Sequence, residues 1–151
     1  MLAHARAAAA ELELPCRVIR RDRIRGCGPL GGIFTALSTS QSDVELFLAC
    51  DMPFVSRRLL RRLLRRLSGD AGAVFTDLDG LAGFPFALRI ECLPMVERQL
   101  RAKKFSLQEL AGKLKAIRVP VPAGCRNDSF NVNAPPDLDQ ARTRARQAKR
   151  K

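Results

Sequence analysis

The sequence predicts an α/β fold, with a mostly parallel sheet covered by helices on both faces. Three observations carry that prediction. Short apolar runs of strand length alternate with segments of helical periodicity along the chain. Residues 44–50 (Val-Glu-Leu-Phe-Leu-Ala-Cys) are almost continuously apolar, the pattern of a strand buried on both faces. Leu59, Leu60, Leu63, Leu64 and Leu67 recur at helical spacing, with Arg57, Arg58, Arg61, Arg62, Arg65 and Arg66 on the opposite face.

Taken in order, residues 3–12 are Ala-rich and read as a helix closed off near Leu14-Pro15. Residues 16–20 form a short strand candidate, and a loop through Asp22 leads to the turn-rich Gly26-Cys27-Gly28-Pro29-Leu30-Gly31-Gly32, with a helix over 33–37. The apolar run at 44–50 stops at Asp51-Met52-Pro53-Phe54. Ser56 is a natural N-cap for the Leu/Arg helix and Gly69 a natural terminator. A strand over 71–76 runs into the turn Asp77-Leu78-Asp79-Gly80, and a strand over 84–88 contains Pro85, which points to an edge or an irregular piece. Residues 90–102 and 106–114 read as helices and 116–119 as a strand. Phe130-Asn131-Val132-Asn133 leads to Pro135-Pro136, which opens a last helix by presetting φ. No repeat or linker divides the chain: residues 1–140 read as one domain and 141–151 as a basic C-terminal tail.

Composition narrows the function classes. With 151 residues and 46% hydrophobic content the chain can bury a single-domain core, built from aliphatic side chains and eight Phe with no Trp or Tyr. The five cysteines form no Cys-x-x-Cys pair and there is one His, His4, so reduced thiols are expected and a zinc site is not. No apolar stretch is long enough to span a bilayer and the N-terminus has no secretory h-region, so a cytoplasmic protein without membrane contact is expected. The net charge of +12 lies largely on the Leu/Arg helix and the tail. It reads as solvated surface whose positive field favours an anionic small molecule; nucleic acid is not an expected partner, since no recognised binding motif accompanies the charge.

In an open α/β sheet, ligands bind beyond the carboxyl ends of the strands. Asp51 follows the most apolar strand directly, and Asp22 follows the strand before it. A carboxylate at Asp51 is placed to hold Mg²⁺, which binds through one or two carboxylates plus phosphate oxygens and water; a turn or cap role is the alternative. The Gly28–Gly32 glycines allow close backbone approach to a ring or phosphate at a helix start, although no Gly-Lys-Ser/Thr follows as in a Walker loop. In a strand Asn131 and Asn133 would point to one side. Asn133 also suits a cap before the last helix, whereas Asn131 has no such local role.

Three segments together, Gly28-Pro29-Leu30-Gly31-Gly32-Ile33, Leu48-Ala49-Cys50-Asp51-Met52-Pro53-Phe54 and Phe130-Asn131-Val132-Asn133-Ala134-Pro135-Pro136-Asp137-Leu138, resemble the molybdenum cofactor guanylyltransferase family in order and spacing. Pro85-Phe86-Ala87-Leu88 and Ser106-Leu107-Gln108-Glu109-Leu110 resemble its intermediate landmarks, and the likeness extends to about Ala141. The resemblance implies a Rossmann-like nucleotidyltransferase domain that transfers GMP from GTP to molybdopterin and releases pyrophosphate. It implies Asp51 as catalytic Mg²⁺ ligand and nucleotide contact, Asp22, Pro29, Leu30, Gly31 and Gly32 at the guanine end, and Asn131 and Asn133 toward the pterin or the metal-phosphate region. Partners in keeping with it are GTP, molybdopterin, and molybdoenzymes or other cofactor-biosynthesis proteins.

The family also opens with a strand and a loop containing Gly-Gly, Arg and Lys that grips the triphosphate, and nothing before Ala3 supplies it. The expectation is therefore an N-terminally truncated domain, impaired alone. A non-catalytic member that binds nucleotide, cofactor or a partner protein, and a related transferase using CTP, are the alternatives.

Overall fold

The computed structural model describes residues 6–7, 9–10, 12–17, 19, 21–67, 69–122, 128, 130–132 and 134–148. Its elements are α1 (Pro29–Ser38), β1 (Val44–Phe47), α2 (Arg57–Arg66), β2 (Ala73–Leu78), β3 (Leu81–Arg89), a 3-10 turn (Ile90–Cys92), α3 (Leu93–Arg101), α4 (Leu107–Lys113), β4 (Ile117–Pro120) and α5 (Pro135–Ala148). None of the described helices is long and apolar enough to cross a membrane.

The α/β class is as expected, and the sheet has the order β1-β3-β2-β4. Strands β1, β2 and β4 share one direction. β3 runs against them, antiparallel to both β1 and β2, while β2 and β4 pair parallel. The reversal has a local cause. Only Asp79 and Gly80 separate β2 from β3, and both take positive φ, 52° and 84°. A two-residue Asp-Gly turn of that kind joins antiparallel neighbours, because a parallel pair needs a crossover of a dozen or more residues.

Pro85 was expected to mark an edge or an irregular piece; β3 lies inside the sheet between β1 and β2, and the second alternative is the one that applies. The pairing explains the tolerance. The β2–β3 register shifts between Phe75 and Thr76, so β3 pairs at Gly83 and Phe86 and skips Phe84 and Pro85. On the other side the β1 ladder ends at Phe47 opposite Phe86. No ladder bond is asked of a proline nitrogen at this irregularity. The Pro85 carbonyl in turn accepts the buried Thr76 hydroxyl at 2.6 Å.

Helices cover both faces. On one, α1, α3 and α4 bring Leu30, Ile33, Leu37, Val96, Leu100 and Leu110 onto Phe75, Phe86 and Leu88. On the other, Leu63 and Leu67 at the end of α2 pack on Val74, Ala87 and Val119. Alternate residues of β2 and β3 thus serve opposite layers, as the strand period requires. The ring of Phe86 stacks on Phe75 at 4.5 Å and on Phe47 at 4.8 Å.

The remaining differences from expectation are local. Regular β1 ends at Phe47 and is only half-buried along its length, because among the described residues it forms a sheet edge. Of the strand expected over 16–20, Cys16, Arg17 and Ile19 are not in a strand, and Val18 and Arg20 lie outside the described residues. The Arg17 guanidinium instead donates to the Thr39 and Ala36 carbonyls, at 2.6 and 3.1 Å, at the end of α1. Of the first helix expected over 3–12, residues 6–7 and 9–10 are helical, and Leu12 already sits in a turn.

Candidate functional site

The shared direction of β1, β2 and β4 puts their carboxyl ends at one edge of the sheet. The segment 48–55 leaves β1 there, and the segment after Pro120 leaves β4 there. Helix α1 enters β1 through a short loop. Its C-terminus therefore lies near the amino edge, and its N-terminus, roughly 15 Å back along a ten-residue helix, points toward the carboxyl edge.

At that N-terminus the helix begins four residues earlier than expected. Pro29 occupies its first turn and presets φ, so Gly31 and Gly32 belong to the helix rather than to a loop before it. Asp22 comes against this turn: a Cβ placed on Gly31 would lie 2.7 Å from the Ile24 carbonyl oxygen and 3.3 Å from Asp22 Oδ2, and one on Gly32 would lie 3.6 Å from Asp22 Oδ1. The close approach of the 21–25 segment is what requires glycine at 31. A hydrogen bond from the Arg23 N–H to Thr35 Oγ1, 2.8 Å, holds that segment along the helix. Asp22, Pro29, Leu30, Gly31 and Gly32 thus form one cluster.

Asp51 belongs to a second. It is half-buried, and its Oδ1 is shut off from solvent with no hydrogen-bond partner among the described residues. A buried carboxylate oxygen left in this state is costly unless a cation or donor completes it. The Asp51 carbonyl accepts the Val132 N–H at 2.8 Å, which draws the Asn131 segment beside it. Asn131 itself is exposed and outside any regular strand, so the expected strand geometry does not apply; Asn133 lies outside the described residues. Next along, the rings of Phe54 and Phe130 meet at 6.0 Å, and the Arg144 guanidinium of α5 lies 4.1 Å above Phe130. Asp128, only 3% exposed, accepts from the Ser56 N–H at 2.9 Å and also from the Ser56 hydroxyl.

Sequence reasoning missed Asp128, Phe130 as a contact of Phe54, and Arg144. Asp128 sits in a polar stretch without periodicity, and nothing local signals its burial. No group of three or more His, Cys, Asp or Glu converges among the described residues. A Mg²⁺ ion needs fewer, since phosphate oxygens and water fill most of its octahedron. Asp51, with its unpartnered inward oxygen, therefore fits a metal ligand. A cavity of about 290 Å³ lined by Ile24, Phe34, Glu97, Leu100 and Arg101 includes none of the residues in either cluster.

The profile of the MobA-like NTP transferase domain matches residues 2–117, most of the chain. The chain belongs to that family. It is 32% identical over 119 residues to a probable molybdenum cofactor guanylyltransferase of Flavobacterium johnsoniae, covering 78% of this chain and 63% of the relative. It is 42% identical over 129 residues to a protein of the same description from Methanothermobacter thermautotrophicus, covering 80% and 64%. The chain thus spans a little under two thirds of these relatives. Among solved structures, molybdopterin-guanine dinucleotide biosynthesis protein A from Archaeoglobus fulgidus superposes with a TM-score of 0.73 at 20% identity, covering 97% of this chain and 76% of that one. This last likeness speaks for the fold, and the MobA-like family assignment rests on the sequence matches.

Proposed function

We propose that this MobA-like chain belongs to a guanylyltransferase of molybdenum cofactor biosynthesis, which moves GMP from GTP to the terminal phosphate of molybdopterin. A phosphate oxygen of molybdopterin forms a bond to the α-phosphorus of GTP, the α–β bridge breaks, and pyrophosphate leaves. The observation that carries this reading is the buried, unpartnered Oδ1 of Asp51 at the carboxyl edge of the sheet, in the Cys50-Asp51-Met52-Pro53 turn. Asp51 would hold Mg²⁺. When bound, that ion would neutralise charge on the phosphates and align them for in-line displacement.

The protein's own residues do the positioning. Asp22 and the first turn of α1, Pro29 to Gly32, would take the guanine end, where the Asp22 carboxylate beside Gly32 offers acceptors to the N–H edge of the base. Asn131 and Asn133 would take the pterin or the metal-phosphate region, supported for Asn131 by the bond from Val132 to the Asp51 carbonyl. The net charge of +12 favours approach of two phosphorylated substrates.

The test is pyrophosphate release from GTP, with Mg²⁺ and molybdopterin each omitted in turn. Release is expected only with both, and Asp51→Ala is expected to reduce it by on the order of 10²–10³. Unchanged turnover in that variant would remove Asp51 from the mechanism. Equal turnover with CTP would place the chain with a cytidylyl-transferring activity instead.

A further inference from the structure

The contacts between the turn after β1 and the segment before α5 follow a register. Ser56 pairs with Asp128 through two hydrogen bonds, Phe54 with Phe130 through their rings at 6.0 Å, and Asp51 with Val132 through a 2.8 Å backbone bond. As one segment ascends from 51 to 56, the other descends from 132 to 128. The two lie side by side and antiparallel, although none of their described residues is in a strand. One end of this zipper is Asp51 with Asn131 alongside. The other end is a carboxylate 3% exposed, bonded across 72 residues of sequence.

Asp128 also faces the start of α2. Ser56 is the N-cap of that helix and accepts from the Leu59 N–H at 3.3 Å, yet the first turn contains no acid and begins with Arg57 and Arg58. The Asp128 charge therefore meets the positive end of the helix dipole, where it is favoured, and its hydrogen bonds are charge-assisted. This makes Asp128 the strongest of the three fastenings.

We infer that Asp128 is a positioning residue. By anchoring the 128–132 segment on Ser56, it holds Asn131 and the Val132 N–H against the Asp51 turn, so that the Asp51 carboxylate keeps the orientation a metal–nucleotide complex requires. The inference rests on the reading of Asp51 as a metal ligand, and it acts through the groups that orient that ligand. Loss of such a supporting contact typically weakens metal binding by roughly 10–100-fold.

The test is binding of Mn²⁺ with GTP to the protein, followed by water-proton relaxation, alongside the thermal midpoint and exchange of the Val132 amide. Asp128→Ala is expected to weaken Mn²⁺·GTP binding about tenfold or more in the folded protein. Asp128→Asn, which keeps an acceptor for the Ser56 N–H but not the charge, is expected to restore part of it. A folded Asp128→Ala protein with undiminished affinity overturns the inference, because a purely structural contact would lower the midpoint and leave affinity alone. If Asp128→Ala does not fold, Ser56→Ala decides, with a several-fold loss expected and an unchanged affinity overturning the role. Wild-type protein that does not bind Mn²⁺·GTP, or binding untouched by Asp51→Ala, sinks the metal reading instead. The anchor then stands or falls on whether the Asp128 variant loses Val132 amide protection.

Discussion

Gly31 shows how one atom constrains the cluster at the start of α1. A methyl there would approach the Ile24 backbone carbonyl to 2.7 Å, a distance real side chains do not tolerate, and a backbone oxygen cannot swing away as a side chain can. Gly31→Ala is therefore expected to lower stability: overpacking costs about 1–3 kcal/mol and outweighs the ~1 kcal/mol that alanine gains in a helix. Gly32→Ala meets only Asp22 Oδ1 at 3.6 Å, ordinary contact, and is expected to keep or raise the thermal midpoint. Calorimetry of the two variants side by side checks this; a Gly31→Ala protein as stable as Gly32→Ala would show that the 21–25 segment yields freely. The same positions were visible in the sequence only as a glycine-rich turn. That they lie inside α1, against Asp22, is a tertiary fact.

At the scale of elements, α2 illustrates how magnitudes decide. Its arginines stack at i, i+4, and each like-charged pair opposes the helix by only about 0.2–0.5 kcal/mol. Leu59, Leu60 and Leu63 are fully buried, each contributing about 1.5–3 kcal/mol, so the apolar stripe wins and the helix forms as the periodicity predicts. In α4, Ser106 caps the Glu109 N–H at 3.3 Å. Glu109 bonds Lys113 at 2.8 Å and Lys104 at 3.2 Å, and these lysines hold its carboxyl below the usual range. Gly112 in the same helix has nothing within 4 Å of where a Cβ would stand. Gly112→Ala is expected to stabilise by about 0.5–1 kcal/mol, measured as a higher denaturation midpoint with unchanged slope. A loss of stability there would mean the helix surface is covered by something else.

For the whole molecule, the two layers on the sheet sort the thiols. Cys16 and Cys50 are exposed, whereas Cys27 and Cys92 are buried. Burial pushes the Cys92 thiol up from 9.0 to about 11, against the opposing hydrogen bond with the Arg89 backbone. Thiolate is the reactive species, so Cys92 is expected to resist alkylation in native protein at pH 8 while Cys16 and Cys50 react, as peptide mapping would read. The folded value lies above the unfolded one, so the stability this thiol contributes is complete below pH 9. It is lost as pH rises from 9 toward 11. Rapid native labelling of Cys92 at pH 8 would show that the α3 layer opens on the sheet.

The sequence by itself determined the α/β class, the stripe of α2, the Ser56 cap and the three motif segments, because each is a local pattern whose period or turn chemistry needs no partner. It also held the Asp79-Gly80 signal that reverses β3, a two-residue turn compatible with only one kind of neighbour. Tertiary structure alone decided that β3, Pro85 included, lies inside the sheet, since that depends on β1 pairing along its other side. It alone joined Asp22 to the first turn of α1, and the Asp51 turn to Asp128, Phe130 and Val132. Those contacts link residues far apart in sequence, and no periodicity encodes them. Asp128 is the clearest case: a polar side chain in a featureless stretch that folding takes out of water and fastens to a serine 72 residues away.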